Sequence, residues 1–351
     1  MTALRWAIAA IILGVGVLAI GLEAAGFDAG VALGSLWRGA FGSWDAFTSA
    51  TLVRAVPLVL IGLGIAVAFR GGALNIGAEG QFYAGAIAAT WVGLHSGALP
   101  PAAAITLLLT SATIAGLLWI LLPVWLKLRF GVLEVISTLL LNFVAVSLVS
   151  LMVQGPLQEH ERIYPQSDAI AESARLPLLP GSRLHAGLLI ALAGGVILWF
   201  LFSRTLWGFR LRAVGLGPRA AEVSGRIDSR RVGAIALLVS GAVAGLAGGV
   251  ELSGVSYALS QNLSPGYGFT GIAVALLGGL HPIGVVVAGL LFGALQAGAG
   301  AMQREAGIPA VSVYVVEAVI IVVALLATAP RGGWTSLQGA VRKRIARRAT
   351  A

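Results

Sequence analysis

Residues 68–90 read AFRGGALNIGAEGQFYAGAIAAT. The run Val59–Phe69 before them is almost wholly apolar, and small apolar residues follow. Between the two lie Arg70, Asn75, Glu79 and Gln81, with five glycines: Gly71, Gly72, Gly77, Gly80 and Gly85. Glycine permits backbone shapes and close approaches that other residues resist. Polar groups between membrane-type segments are expensive, and are tolerated mainly where they line a cavity or a water path. The stretch therefore reads as a broken crossing beside a pathway. The alternative is an ordinary tight loop between two helices.

Composition favours the first reading. Hydrophobic residues make up 58% and charged residues 11%, where soluble chains carry roughly 25% charged. Such a chain cannot cover itself with polar surface, so it belongs in a bilayer. The 48 glycines suit closely packed transmembrane helices. There is no cysteine, which excludes disulfides and thiolate metal sites.

A crossing helix needs about 20 mostly apolar residues. On that rule the expected spans are Trp6–Leu22, Leu52–Phe69, Glu79–Leu94, Ala102–Leu126, Val132–Val153, His185–Phe202, Val232–Val250, Phe269–Leu280, Ile283–Gly300 and Val311–Thr328. Trp6–Leu22 lacks a convincing small-residue cleavage site after it and reads as an anchor. Glu23–Ser49 reads as a mixed connector. Residues 154–184 and 203–231 are the two long polar segments, and 251–268 is a second polar, glycine-bearing interruption. The expectation is an all-α polytopic membrane protein of about ten helices, forming a single transmembrane domain over residues 1–351.

Lysine and arginine counts set the orientation. With the N-terminus in the cytoplasm, seventeen basic residues fall inside and five outside, Arg54 lying at an outer helix end. Both termini then come out in the cytoplasm, with 154–184 outside and 203–231 inside. This topology, with anionic lipid contact, accounts for the net charge of +9 without nucleic acid. Polar interruptions near the start of spans two to five and of spans seven to ten suggest two five-helix halves of opposite orientation. That plan places a pathway at the repeat interface.

The four histidines are scattered, with no H-x-x-x-H pair, so no metal site is expected. No G-x-x-x-x-G-K-[ST] loop and no G-x-S-x-G elbow occurs. A polytopic chain without an engine of its own runs on a gradient or borrows energy from a partner. The basic loop bears on that choice. Ala220, Ala221, Val223 and Ile227 fall at roughly helical spacing, with Arg219, Glu222 and Arg226 on other faces. Gly217-Pro218 before them reads as a helix start and Gly225 as a helix end. A short amphipathic cytoplasmic helix is what a motor subunit docks on; the alternative is a basic loop that only enforces topology.

Three blocks carry a resemblance. Phe69–Gln81, FRGGALNIGAEGQ, resembles the F-x-x-G-x-x-N-I-G-x-E-G-Q signature of nucleoside-type ABC importer permeases. Gly208–Gly225 resembles the cytoplasmic coupling segment of the same family, R-A-x-G-x-x-P-x-A-A. Glu251–Gly279, ELSGVSYALSQNLSPGYGFTGIAVALLGG, resembles the E-x-S-G and S-P-G-Y-G-F-T-G-I-A-V-A-L-L-G run of that branch. Arg226 departs from the family pattern, which has an apolar or small residue there. The chain thus resembles the permease subunit of an ABC importer, in the family serving branched-chain amino acids, simple sugars and nucleosides.

The resemblance implies alternating access in a bacterial inner membrane. It implies a second homologous permease, two ATPase subunits that hold ATP and Mg, and an extracytoplasmic solute-binding protein. This chain would then bind no cofactor and catalyse nothing itself. The coupling residues it implies are Arg212, Arg219, Ala220, Ala221, Glu222 and Gly225. A nucleoside offers base donors and acceptors, ribose hydroxyls and a flat ring. Asn75, Gln81, Asn142, Gln261 and Asn262 can donate and accept; Glu79 can accept from hydroxyls; Tyr257, Tyr267 and Phe269 can stack. Each has a structural alternative, Asn75 and Glu79 as caps or braces of broken backbone. Glu134 and Glu317 are expected to pair with helix ends or interfacial arginines. The rival from another class is a gradient-driven secondary carrier, which has no need of a docking helix at 203–231.

Overall fold

The computed structural model describes residues 2–309, 311–315, 317–319 and 322. Most of the span expected at 311–328, and the basic tail 342–348, lie outside them. The described chain is helical, with two isolated bridges and no strand. In order, the helices are α1 (Thr2–Ala24), α2 (Ala29–Phe41), α3 (Val53–Arg70), α4 (Ala78–His95), α5 (Pro101–Phe130), α6 (Glu134–Val153), α7 (Gly187–Arg204), α8 (Leu206–Leu216), α9 (Pro218–Gly225), α10 (Ser229–Glu251), α11 (Tyr267–Leu277) and α12 (Pro282–Ala306). Short π-helical turns, Ala46–Leu52 and Leu252–Ser256, lead into α3 and out of α10. Among the described residues six helices are long and apolar enough to cross a bilayer: α3 with its π turn, α5, α6, α7, α10 with its π turn, and α12.

Helix ends follow local chemistry. Pro101 opens α5 with its fixed φ, and Gly131 closes it in the left-handed region at φ 69°. Lys127 and Arg129 sit in the last turn, where the carbonyl ends favour cations. The Asp228 carboxylate caps α10 by accepting the Arg231 N–H at 3.0 Å.

Burial sorts the helices. The apolar window of α3 is 83% buried inside the chain, against 22% for α5 and for α6. So α3 is a core helix, whereas α5 and α6 turn most of their surface outward. α10 packs against α3, α4 and α5 and completes the centre. Contact there is backbone to backbone: a Cβ on Gly85 of α4 would lie 2.2 Å from the Gly245 carbonyl oxygen of α10. Without a hydrophobic drive in lipid, such small-residue seams are what bring helices together.

The connector expected over Glu23–Ser49 is instead largely helical. Asp28 caps α2 by accepting the Val31 N–H at 2.9 Å. α2 packs on α12 with Ala32, Ser35 and Ala40 buried, and so close that a Cβ on Gly39 would sit 2.3 Å from Ala301 Cβ. The small residues that make this seam lower the apolar signal, and so hide the helix from a span search. α11 is also shorter than expected, ending at Leu277 with Leu280 at φ 56°.

Candidate functional site

Residues 71–77 leave the helical path between α3 and α4 and run inward along α6. Lys127 Nζ meets Glu134 Oε1 at 2.6 Å, and the same oxygen accepts the Leu74 N–H at 3.3 Å. One turn on, Thr138 Oγ1 accepts the Ile76 N–H at 3.3 Å. One turn further, Asn142 Oδ1 accepts the Gly80 N–H at 2.8 Å, while Asn142 Nδ2 donates to the Ile76 carbonyl at 2.9 Å. Positions 134, 138 and 142 share one helix face, and together rise about 12 Å at 1.5 Å per residue. Side chains of α6 thus serve as rungs for backbone groups that no helix satisfies. In a bilayer every such group needs a partner within the protein.

The loop's own side chains close it. Asn75 Nδ2 donates to Gln81 Oε1 at 2.8 Å and to Ser240 Oγ of α10 at 2.9 Å. Gln81 Nε2 donates back to Asn75 Oδ1 at 3.0 Å, and that oxygen also accepts the Gly77 N–H at 2.9 Å. Asn75, Gln81, Asn142 and Ser240 are all buried. The Asn75 amide uses both donors and both acceptor sites within the protein. Ser240 was not nominated from sequence; a lone serine in a glycine- and alanine-rich helix carries no distinguishing signal.

The second interruption meets the first. Glu79 Oε2 accepts the Gly268 N–H at 2.6 Å. A Cβ on Gly268 would lie 2.2 Å from the Glu79 nitrogen, so only glycine fits where α11 touches α4. Tyr83 Oη donates to the Gln261 carbonyl at 2.9 Å and accepts the Ser264 N–H at 3.3 Å. Tyr267 is buried, its ring 5.9 Å from that of Phe82 and its hydroxyl beside Glu251. Arg54 faces the same carboxylate, which is buried with one oxygen free of any partner among the described atoms. Glu251 and Arg54 were not nominated either, since a carboxylate at a helix end and an arginine at another read as ordinary interfacial charges.

Towards the 154–184 side the second interruption is tied down by backbone bonds. Ser167 N–H donates to the Leu259 carbonyl at 2.9 Å, Ile170 N–H to Tyr257 at 2.8 Å and Leu176 N–H to Ser253 at 2.9 Å. Tyr257 takes φ 58°, with the Arg175 guanidinium 4.8 Å from its ring centroid. Gln261 Nε2 donates to Ser150 Oγ of α6 at 2.6 Å, and Asn262 and Phe269 are exposed. The nominated residues therefore fall into an inner group of Asn75, Gln81 and Asn142, a middle pair of Glu79 and Tyr267, and an outer group of Tyr257, Gln261 and Asn262. Glu317 is buried, with one carboxylate oxygen unpartnered among the described atoms.

In the 154–184 segment, Glu159 accepts from Gln166 Nε2 at 2.8 Å, the Tyr164 N–H at 2.6 Å and the Ile163 N–H at 3.1 Å. These bonds, the one from Gln166 foremost, hold its carboxyl below the usual carboxylate range. Asp168 is bonded by both the backbone N–H and the ring of His160. Those contacts outweigh desolvation and lower its carboxyl as well.

At the opposite end, 203–231 forms two consecutive helices where sequence suggested one. α8 packs on α3, α7 and α10, and Arg70 at the end of α3 lies over the Phe202 ring at 4.6 Å. Gly217-Pro218 opens α9, and the left-handed cap falls on Arg226 at φ 49° rather than on Gly225. Arg212, Arg219, Ala220, Glu222 and Gly225 are exposed, and Ser229 Oγ donates to Glu222. Ala221, expected among the residues that contact the ATPase, is buried at 6% exposure within this chain, while Leu216 at 91% and Val223 at 86% stand in solvent. The exposed apolar surface at the α8–α9 junction is thus built from Leu216 of α8 and Val223 of α9.

The family described as branched-chain amino acid transport system, permease component, matches residues 47–325. The chain belongs to this permease family. A guanosine ABC transporter permease of Bacillus subtilis is 40% identical over 319 residues, covering 89% of this chain and 90% of that one. A glucose ABC transporter permease of Haloferax volcanii is 38% identical, covering 77% of this chain and 73% of its own. A nucleoside ABC transporter permease of Lactococcus lactis is 37% identical, covering 77% of each. Both interruptions, the α6 rungs and α8–α9 lie inside the matched range. The permease therefore carries its polar machinery within the part it shares with its family.

Proposed function

We propose that the permease forms the solute pathway of an ATP-driven importer of nucleosides. The observation that carries the solute class is the 40% identity, along nine-tenths of both chains, to a permease named for guanosine, with a nucleoside-named relative beside it. The glucose-named relative at 38% favours a second reading, a simple sugar. The two solutes share hydroxyl groups; only the nucleoside brings a flat heterocycle for Tyr257 or Phe269 to stack on.

In this reading Asn75, Gln81, Asn142 and Glu79 brace the broken backbone beside the pathway, because their hydrogen-bonding capacity is largely spent within the protein. Solute contact falls to Tyr257, Gln261 and Asn262 near the 154–184 side, with Tyr267 as the deeper aromatic. The chain is one transmembrane domain of ten crossings in two inverted halves, in a bacterial inner membrane, with both termini cytoplasmic. It pairs with a second permease above two ATPase subunits, receives solute from an extracytoplasmic binding protein, and docks on an ATPase subunit through α8–α9. ATP and Mg sit on those subunits, and this chain is not an enzyme. The lack of any nucleotide-binding loop in the sequence supports that division of labour.

The test is solute competition in cells that express the permease with its partner subunits. Unlabelled guanosine and adenosine are expected to block labelled guanosine uptake, and glucose to leave it unchanged. Glucose uptake blocked by glucose alone would establish the sugar reading instead.

A further inference from the structure

α5 and α6 both pack on α4 and leave a groove over it. The groove holds about 480 Å³ and is lined by apolar side chains, among them Ala84 and Trp91 of α4, Leu118 and Trp119 of α5, and Leu148 and Met152 of α6. From Ala84 to Trp91 it follows α4 for about 10 Å at 1.5 Å per residue. One leaflet of hydrocarbon is about 15 Å deep, half of a core of roughly 30 Å.

The groove does not end at Trp91. Trp91, Pro156 and Leu157 also line a second cavity of about 700 Å³ in the 154–184 segment. That cavity is charged: His95, Glu159, His160, Arg162 and Asp168 line it. Trp91 stands at the junction, its ring 4.7 Å from that of His95, as an amphipathic ring does at a membrane–water boundary. Apolar groove, aromatic junction and charged cavity thus follow one another along one axis.

We propose that this continuous groove binds a phospholipid with an ammonium-bearing zwitterionic headgroup, in the leaflet on the 154–184 side. One acyl chain lies between α5 and α6. The phosphate meets Arg162 and the ammonium meets Glu159 and Asp168. A tail leaving bulk lipid for an apolar groove gains little, because lipid is as apolar as leucine. Selection must therefore come from the headgroup. Both bonded carboxylates are held ionised at neutral pH, so the cavity offers fixed negative charge beside one arginine. That arrangement matches a zwitterion. An anionic headgroup such as phosphatidylglycerol would satisfy Arg162 through its phosphate but bring no cation to the carboxylates.

The test uses the full chain with its partner subunits in vesicles of phosphatidylethanolamine and phosphatidylglycerol. Each carries a trace of one lipid or the other with a photoreactive acyl chain. After irradiation, cross-links are mapped by peptide. Phosphatidylethanolamine is expected to label α4, α5 and α6 around the groove about two- to fivefold more than phosphatidylglycerol, the scale of one exposed charge pair. Ala88→Trp, which fills the groove, and Glu159→Gln/Asp168→Asn in the exposed segment should each remove that preference. The second variant keeps the test valid where the first fails to fold. Equal labelling by the two lipids, or labelling spread evenly over the outward faces of α5 and α6, overturns the proposal. So does groove labelling that appears only when the second permease is omitted, since a protein helix would then be the occupant.

Discussion

Asn75 and Gln81 hold each other by both ends of their amides, Nδ2 to Oε1 at 2.8 Å and Nε2 to Oδ1 at 3.0 Å. The pair spans the start of α4 and reaches α10 through Ser240. It fastens the interrupted segment to the core, as the Glu79–Gly268 bond fastens the two interruptions to each other. A transport pathway needs irregular backbone at membrane depth, and irregular backbone there needs such fastening.

Asn75→Ala removes four bonds and strands both ends of Gln81 in a buried site. A stranded buried polar group costs about 1–3 kcal/mol. Thermal unfolding of the detergent-purified chain should show a clear loss for either single alanine variant. The double variant Asn75→Ala/Gln81→Ala should lose less than the sum, because the second removal strands nothing new. Strictly additive losses would mean that the two amides act separately.

Gly268→Ala tests the second fastening. The added carbon has no space against the Glu79 nitrogen at 2.2 Å. Overpacking of this kind costs about 1–3 kcal/mol, and it should also lengthen the Glu79–Gly268 bond. Membrane levels and solute uptake should fall together. Wild-type uptake in this variant would show that α4 and α11 separate freely during transport.

Much of this was legible in sequence. The span Glu79–Leu94 corresponds to α4, and Val132–Val153 to α6, because apolar runs bounded by charges have few alternatives. The stretch 68–90 announced its break through Gly71-Gly72 and its buried amides. What it could not announce was the partner of each polar group. Ser240 lies 165 residues from Asn75, and only packing brings them together. α2 was missed because a helix that packs through alanine, serine and glycine looks like a connector. Ala221 was grouped with the coupling residues because helical spacing fixes which residues share a face, but not which face turns inward.

That last difference decides how coupling is probed. Ala221→Glu forces a charge into a packed site and should lower the amount of folded protein. Val223→Glu and Leu216→Glu lie on exposed surface and should leave membrane levels intact. Loss of ATPase co-purification and of uptake in these two variants marks α8–α9 as the docking surface. Normal ATPase retention in both would move the docking surface elsewhere on the 203–231 segment.

The Glu159 bonds make the 159–168 turn acid-sensitive. Its carboxyl is depressed in the folded state, so the stabilisation is complete above the ordinary carboxylate range. It is lost as pH falls through the lower folded value. Hydrogen exchange at residues 163 and 164, corrected for intrinsic rate, should show protection at neutral pH that fades in acid below that range. Glu159→Gln should remove the acid-dependent part. Equal protection of the wild type across that range would contradict the assignment.

The energy source is the most direct test of the account. The permease, its ATPase subunits and its binding protein are reconstituted in sealed vesicles, and labelled guanosine uptake is followed with and without ATP on the α8–α9 side. The account predicts uptake that requires ATP and the ATPase subunits and survives ionophores that collapse ion gradients. Uptake by the permease alone, driven by an imposed ion gradient without ATP, would contradict it.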